Sequence, residues 1–412
     1  MSIMIKKNYD TVIAGGGASG IMAAYAALLS GDDTLIVERN NVLGKKLAIT
    51  GKGRCNITNS ADIADFFANI PINANFLYSA LYGFTNADLI ELLNGAGLRT
   101  KVERGGRVFP ASDKARDVRS ALSRLIKDAD IMYNSRVSKV ILQDGAVGGV
   151  CVGNTEIYAD KVIIATGGAS YKSTGSTGDG YALARDCGHT ITPLSPSLAP
   201  LETAEEWVKN VSGLTLKNVK VTVFDKNDKR VYDDFGEMLF THFGVSGPVI
   251  LSASSHIRRV DGHYITIDLK PALDERQLDA RVIRDFDKYS RRDLINSLDD
   301  LLPKNLIPHI VELSKIDPHI KTHQITKLQR AELVKLLKGV RLNIKGMRPL
   351  DEAIITSGGI SVSEINPSTM ESKIISGLYF CGEVIDVDAY TGGFNLQIAF
   401  STGYLAGKTS NK

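Results

Sequence analysis

The chain has 412 residues, 43% of them hydrophobic, and a formal net charge of +3, which indicates a globular protein of two or three domains with ample material for a core. Its 49 basic and 46 acidic residues contain no block of five or six like charges, so no nucleic acid partner is expected. The four cysteines form no C-x-x-C pair, which suits a reducing compartment. Neither a secretory h-region nor an apolar run of about 18 residues is present, so a cytoplasmic protein without membrane contact is expected.

The first predicted elements form a βαβ unit. Residues 9–14 indicate a short strand, residues 15–20 a glycine turn, residues 21–29 an alanine-rich helix and residues 34–37 a second strand. Gly15, Gly17 and Gly20 give the pattern G-x-G-x-x-G, which lets the backbone approach a pyrophosphate at the helix N-terminus. Glu38 ends the second strand, where a carboxylate accepts hydrogen bonds from ribose hydroxyls and disfavours a 2′-phosphate. These residues predict a dinucleotide-binding fold.

The remaining chain predicts an insertion followed by a return to the first domain. Strands are predicted at 137–142, 147–152, 156–158 and 161–166, then at 219–224 and 264–269 within an antiparallel β unit, and finally at 378–381. Helices are predicted between 274 and 338, with capping boxes at Asp274/Gln277, Ser290/Asp293 and Thr326/Gln329 and a closing Gly339, and again at 396–405. The expected domains are 1–190 (nucleotide-binding, first segment), 191–272 (β-rich insertion on the substrate side), 273–344 (helical subdomain) and 345–412 (nucleotide-binding, C-terminal segment).

Three glycine-containing turns favour a permanently bound flavin cofactor over a nicotinamide cofactor that binds and dissociates in each reaction. Ala165, Thr166 and Gly167 close one strand, and Gly382 and Glu383 follow another near the C-terminus. The run Gly392–Gly393–Phe394–Asn395–Leu396 then opens a helix, where unpaired N–H groups can face the N1/O2 edge of a flavin. No second G-x-G-x-x-G unit is present, so NADH or NADPH would have to dock without a Rossmann domain of its own.

The motifs together resemble the YhiN/BaiN-type flavoproteins, an NAD(P)/FAD-dependent family that includes aminoacetone oxidase-like proteins. The resemblance runs from about Tyr9 to Gly407 and is carried by GGGASG, GKKLAITGKGRCNITN, ATGGASYKSTGSTGDGY, THFGVSGP and GLYFCGEVIDVDAYTGGFNLQIAFSTG. It implies a bound FAD, a Rossmann-like α/β FAD domain of the two-dinucleotide-binding-domain type, a β-barrel-like insertion and a helical subdomain. It also implies oxidoreductase chemistry. Glu383 departs from related flavoproteins, which often carry Asp there.

The segment TGKGRCNITN, at residues 50–59, is placed along FAD by the resemblance. It lacks the order of a P-loop, a second cysteine for a redox pair and further ligands for a metal. Asn56 and the backbone of residues 51–56 are predicted at the flavin edge, whereas Cys55 is either catalytic or, more simply, a packing residue. The full predicted cofactor-binding set is Gly15, Gly17, Ala18, Ser19, Gly20, Glu38, Arg39, Lys45, Lys46, Gly51, Gly53, Arg54, Cys55, Asn56, Val137, Ala165, Thr166, Gly167, Gly382, Glu383, Gly392, Gly393, Phe394, Asn395 and Leu396.

Two further segments have both a functional and an ordinary interpretation. Residues 169–181 form either a loop over the flavin or a turn-rich linker. His242 is the leading candidate for an acid/base group, with a structural histidine as the alternative, and it completes the candidate catalytic set with Asn56 and Cys55. His319 and His323 have i, i+4 spacing but no carboxylate partner in register, so no metal site is expected there.

The predicted function is FAD-dependent oxidoreduction with hydride transfer through flavin N5. An NAD(P)H-linked reductase of a small organic substrate is favoured, and a flavin-dependent amine oxidase that uses oxygen is the alternative. A flavin-binding redox sensor or a tRNA-modification factor stays open as a different class. The oligomeric state is left open.

Overall fold

A computed structural model describes residues 6–257 and 260–408. The chain divides into two compact units, the first formed by Met1–Ser197 with Leu350–Lys412 and the second by Leu198–Pro349. The predicted boundaries of the four domain segments stay predictions. Among the described residues, no helix is both long and apolar enough to cross a membrane.

The strands are β1 (Asn8–Ala14), β2 (Thr34–Val37), β3 (Thr58–Asn59), β4 (Thr100–Glu103), β5 (Arg107–Pro110), β6 (Asp130–Met132), β7 (Val137–Gln143), β8 (Ala146–Val152), β9 (Thr155–Ile164), β10 (Ser195–Ser197), β11 (Leu201–Thr203), β12 (Thr215–Phe224), β13 (Arg230–Phe240), β14 (Gly244–Ser246), β15 (Tyr264–Asp268), β16 (Val340–Met347), β17 (Ile355–Ser357) and β18 (Leu378–Phe380). The α-helices are α1 (Ala18–Leu29), α2 (Ile63–Phe66), α3 (Tyr78–Gly83), α4 (Asn86–Gly95), α5 (Ala115–Leu125), α6 (Asp179–Asp186), α7 (Pro248–Ser254), α8 (Glu275–Lys288), α9 (Ile307–Ser314), α10 (Lys327–Lys338) and α11 (Phe394–Lys408).

The main sheet of the first unit has the strand order β6-β2-β1-β9-β8-β7, and β18 also pairs with β9. Strands β6, β2, β1, β9 and β18 are parallel, so their carboxyl ends share one edge of the sheet. The predicted strands at 156–158 and 161–166 are instead one strand, β9, because its exposed and buried residues alternate without a break before its fully buried end. The βαβ unit is confirmed, with α1 three residues longer at its start than predicted.

Helices α1 and α11 pack directly against each other in the first unit. A Cβ atom at Gly403 would lie 2.2 Å from the carbonyl oxygen of Ser19, and one at Gly407 would lie 2.1 Å from that of Ala23. Only glycine permits this approach of two helix backbones. The helix near the end of the described chain is therefore fixed against the helix that follows the first strand.

The second unit contains a closed barrel with the strand order β11-β14-β13-β12-β15-β16. The predicted fold class, a Rossmann-type domain with a barrel insertion and helical elements, is confirmed. The predicted capping boxes that open α8 and α10 are present, with both reciprocal hydrogen bonds in each. The predicted box at Ser290/Asp293 is wrong: Asp293 precedes only a short 3₁₀ turn, and its carboxylate accepts a hydrogen bond from Lys321 at 2.7 Å.

Candidate functional site

The glycine turn after β1 leaves open space beside the start of α1. Gly15 has a φ of 107°, and a Cβ there would lie 2.6 Å from the carbonyl oxygen of Ala165, so β1 and the end of β9 meet at this turn. Gly17 precedes α1 as its N-cap residue, and a Cβ built on it meets nothing within 4 Å. The first N–H groups of a helix have no partner within the helix. An open cradle over such groups fits the pyrophosphate of a dinucleotide.

Glu38 is held beside this turn by three hydrogen bonds. One carboxylate oxygen accepts from the Gly16 N–H at 2.7 Å, and the other accepts from the backbone N–H and the side-chain amide of Asn40, each at 2.7 Å. The side chain is buried at the end of β2. Carboxylate oxygens carry several lone-pair sites, so this arrangement orients Glu38 and leaves it able to accept from a ribose hydroxyl.

Residues 169–181 contact the two residues that follow Glu38, Arg39 and Asn40. The Asn40 amide donates to the Thr174 carbonyl at 3.0 Å, and the Arg39 guanidinium contacts the Thr177 hydroxyl and lies 3.1 Å from the Asp179 carboxylate. The segment is therefore built into the wall that carries Glu38. Val137 begins β7, two residues after Ser135, whose N–H donates to the Glu38 carbonyl at 3.0 Å.

The segment at 46–56 is an irregular 3₁₀ turn in which Gly51 and Lys52 are left-handed, with φ of 57° and 59°. Cys55 follows with a φ of 64° and is fully buried. Burial raises the pKa of its thiol to about 12, so the group is a neutral thiol at physiological pH. The Asn56 side-chain oxygen is buried, and no described residue donates a hydrogen bond to it. An unsatisfied buried acceptor of this kind fits a ligand N–H, such as an imide of a flavin.

Two cations of this segment, Lys46 and Arg54, are paired with carboxylates. Lys46 Nζ lies 2.6 Å from a Glu383 oxygen and donates to the Ser170 hydroxyl at 2.9 Å. The other Glu383 oxygen accepts from the Thr356 N–H at 2.9 Å. Lys45 is exposed, and its Nζ donates a hydrogen bond to the side-chain oxygen Oδ1 of Asn40 at 3.2 Å. Glu383 thus joins the segment after β18 to the segment after β2.

Arg54 is likewise engaged within the first unit. Its guanidinium lies 2.8 Å from Glu103 and 3.2 Å from Asp113, and it stacks on the ring of Phe109 at 4.0 Å. Two carboxylates and an aromatic face hold it in place. This pairing makes Arg54 a support for the turn at 51–53.

The glycines before α11 meet the strand that follows this turn. Gly392 and Gly393 have φ of 130° and 104°, and a Cβ at Gly393 would lie 2.3 Å from the Thr58 carbonyl. Asn59 donates to the Gly392 carbonyl at 3.0 Å. Asn395 closes the same turn, because its side chain accepts from the Ala389 N–H at 2.9 Å and donates to the Ala389 carbonyl at 2.6 Å. The structure therefore brings residues 51–59 and 392–396 together.

Several supporting residues were missed from the sequence. Thr58 donates to buried Gln397 at 2.7 Å, and Asn59, Ser170 and Thr356 make the contacts given above. The Thr166 hydroxyl, two residues after β9, belongs to the predicted cofactor-binding set and is buried without a partner among the described residues. Of the missed residues, Thr58, Asn59, Ser170 and Gln397 lie within the motifs that carry the family resemblance, which was the available signal, whereas Thr356 lies outside them.

His242 lies in the second unit, between β13 and β14. It is exposed, and its ring makes an edge contact with Phe243 at 4.9 Å between centroids. His323 Nδ1 lies 2.6 Å from the Ser290 carbonyl, and His319 Nδ1 lies 3.5 Å from Asp293. No group of three or more His, Cys, Asp or Glu side chains suited to a metal ion occurs in the part of the chain that the structure describes.

Residues 9–409 match the family model described as the HI0933-like protein Rossmann domain. The resemblance to this flavoprotein family is therefore confirmed. A 3-dehydro-bile acid delta(4,6)-reductase of Clostridium scindens is 34% identical over 97% of this chain and 98% of its own length. Ribosomal RNA dihydrouridine synthases of Escherichia coli and Haemophilus influenzae are 29% and 30% identical, over 97% and 96% of this chain and the same shares of their own length.

A solved structure supports the fold. The 3-ketosteroid delta1-dehydrogenase of Sterolibacterium denitrificans has a TM-score of 0.52 at 13% identity, covering 98% of this chain and 99% of its own. The expectation that no nucleic acid is involved is wrong, because two relatives matching along nearly the whole chain are named for action on ribosomal RNA. That expectation rested on the absence of a continuous run of basic residues. Basic residues that are separated in the sequence can also lie close together on the surface of the folded protein.

Proposed function

Because this chain belongs to the HI0933-like Rossmann-domain family, whose members are FAD-dependent oxidoreductases, we propose that it reduces a carbon–carbon double bond conjugated to a carbonyl group. The chain is itself an FAD-dependent oxidoreductase. Beyond this, we propose three things: the type of double bond that is reduced, NADH or NADPH as the electron donor, and the residues that bind the cofactor and transfer the proton.

One observation carries this proposal: the relatives share a reaction although their substrates differ. A Δ4,6 bile acid with a 3-oxo group contains double bonds conjugated to a ketone, and dihydrouridine is uridine with its 5,6 double bond reduced. That bond in uracil is conjugated to the 4-carbonyl. A steroid ring and a nucleobase have little else in common, so the shared element is the polarised double bond.

The described residues fit FAD along one path of the first unit. The open cradle at Gly17 would hold the pyrophosphate, and Glu38 would hold the adenosine ribose. The Asn56 oxygen and the N-terminus of α11 would face the flavin ring. When bound, FAD supplies two-electron chemistry, accepting a hydride from the nucleotide donor and delivering a hydride to the unsaturated substrate.

Side chains and backbone groups of the protein must stabilise the charge that develops on the substrate and supply the proton. Reduction of the double bond adds a hydride at the carbon remote from the carbonyl group and a proton at the carbon next to it. After the hydride is added and before the proton arrives, negative charge lies on the carbonyl oxygen. His242 stays the predicted acid/base group. Cys55, as a buried neutral thiol, is assigned to packing under the turn at 51–56 rather than to chemistry.

The test is an anaerobic titration of the purified yellow protein with NADPH and then NADH, followed by its visible flavin absorbance. We expect bleaching by one of them and recovery of the absorbance when a 3-oxo-4,6-diene steroid or ribosomal RNA is added without oxygen. A saturated 3-oxo steroid is the matched control and should leave the protein bleached. Recovery only with oxygen would contradict the proposal and favour an oxidase.

A further inference from the structure

Residues 99–127 of the first unit carry a concentration of positive charge. This stretch contains nine Lys or Arg residues and three Asp or Glu residues, a net charge of +6 against +3 for the whole chain. The cations of α5 and its flanks are two to five positions apart, so they form no run in the sequence. The rest of the molecule therefore carries a net negative charge.

The acidic residues of this stretch are largely neutralised by cations that lie outside α5. Arg54 and Lys101 bind Glu103 and Asp113, which leaves Asp117, in the first turn of α5, as the remaining acid of the stretch. Asp117 accepts a hydrogen bond from the Ser112 hydroxyl at 2.6 Å and lies 3.6 Å from Arg116. Among the cations considered next, Arg116 is thus paired with Asp117, and Asp128 follows Lys127 directly in the sequence.

One face of α5 and its two flanks carry these cations, which we call the basic stripe: Lys114, Arg116, Arg119, Arg124 and Lys127. Arg116 is 75% exposed at its side chain. Arg119 and Arg124 each donate to a backbone carbonyl, of Leu43 and Ala96 respectively, which fixes their guanidinium groups and leaves further N–H donors. The helix has 11 residues and is about 16 Å long.

The basic stripe borders an open cavity of about 340 Å³, lined by Lys114, Arg116 and Arg119 together with Ala48, Gly53, Ala115 and Asp113, whose carboxylate is paired with Arg54 and Lys101. Ala48 and Gly53 belong to the turn that leads into Asn56. Within the first unit, the basic stripe therefore borders the turn whose residues 51–56 are proposed to contact the flavin edge. A polyanion lying along the stripe would have one of its units in this cavity.

We propose that the basic stripe binds the phosphate backbone of RNA and directs a nucleotide towards the turn at 51–56. Phosphates spaced along a strand match cations spaced along a helix, and arginine guanidinium groups bind phosphate through paired hydrogen bonds. A membrane surface does not fit, because Val118, Ala121 and Leu122 on the opposite face of α5 are fully buried in the core and no apolar face is left to insert. The identity of the bound polymer rests on the proposed function, whereas binding itself does not require turnover.

The test measures binding of the FAD-loaded protein to purified ribosomal RNA, freed of protein, by filter retention over a range of salt concentrations. The variant K114Q/R116Q/K127Q should lower the slope of log affinity against log salt by about two and weaken low-salt binding at least about tenfold. The matched control, K304Q/K327Q/K335Q, removes three exposed lysines from the second unit and should bind like the unaltered protein. R116K/R124K, which keeps the charges, should retain most of the binding.

An unchanged salt slope in K114Q/R116Q/K127Q, or an equal loss in the control, would overturn the proposal. Weaker bleaching by NADPH with RNA binding intact would also overturn it and assign the cavity to the nucleotide donor. Reduction of the free 3-oxo-4,6-diene steroid, measured on the same variants, separates the two proposals. If no form of the protein reduces the steroid or the RNA while the RNA-binding difference persists, the proposed function fails and the basic stripe stands.

Discussion

Replacing Gly17 with leucine separates cofactor binding from folding. A Cβ at this position meets nothing within 4 Å, and the backbone φ of −81° is accessible to any residue. The cost to the folded protein without cofactor is that of a poorer N-cap, about 1 kcal/mol. The added side chain would fill the cradle above the first N–H groups of α1, so one or two charge-assisted hydrogen bonds to phosphate are lost, each worth about 1.5–3 kcal/mol.

The expected result is a folded protein whose FAD affinity is reduced about 100-fold or more, since about 1.4 kcal/mol corresponds to a factor of ten. FAD binding is measured by the quenching of flavin fluorescence, and folding by urea unfolding of the cofactor-free protein. Gly95→Leu is the matched control, because a Cβ at Gly95 also meets nothing within 4 Å and the residue ends α4 away from the turn. A Gly17→Leu protein that binds FAD as tightly as the control would refute the placement of the pyrophosphate.

Three further results are expected. Asn40→Ala should weaken FAD binding about tenfold, because the hydrogen bond from the side-chain amide to the Glu38 carboxylate is lost while those from the Asn40 and Gly16 backbone N–H groups remain; unaltered fluorescence titrations would exclude this positioning role. Cys55, with its pKa raised to about 12 by burial, ionises first in the unfolded chain, so the unfolded state binds fewer protons and the free energy of unfolding should fall as pH rises above about 8.5. Cys55→Ala should reduce that slope in urea unfolding, and rapid alkylation of the native thiol at pH 8 would contradict the assignment. Asp274→Ala should lower the free energy of unfolding by about 1 kcal/mol, whereas Ser290→Ala should change it by less than about 0.5 kcal/mol; equal effects would show that the capping box at Asp274 has no stabilising role.

Local patterns in the sequence were sufficient for the first βαβ unit. The strand, glycine turn, helix and strand of residues 8–37 follow each other within one βαβ unit, so each element is specified by its own periodicity. The boxes at Asp274 and Thr326 were also readable, because a cap and its partner are three residues apart. Ser290 and Asp293 have the same spacing, but Lys321 competes for the Asp293 carboxylate from a distant part of the chain.

The candidate site depended on contacts that no local pattern contains. Lys46 was expected near phosphate, whereas its partner Glu383 lies 337 positions further along the chain. The contact of Thr58 with Gly393 likewise follows from the packing of the two segments of the first unit. The placement of charge on α5 was missed for a related reason: a search for consecutive basic residues does not detect cations at helical spacing.

The pairing of β18 with β9 and the packing of α11 on α1 have a consequence for synthesis. One part of the candidate cofactor site is translated within the first sixty residues, whereas the part from Gly382 to Leu396 follows only after the entire barrel unit. A chain emerging from the ribosome thus exposes β1, β2 and the glycine turn long before the strand and helix that complete them. The first unit has contacts of very high sequence separation, which slow folding and leave an apolar sheet edge open in the meantime. Stable FAD capture is therefore expected only late in translation, and nascent chains arrested before Leu378 should retain no flavin.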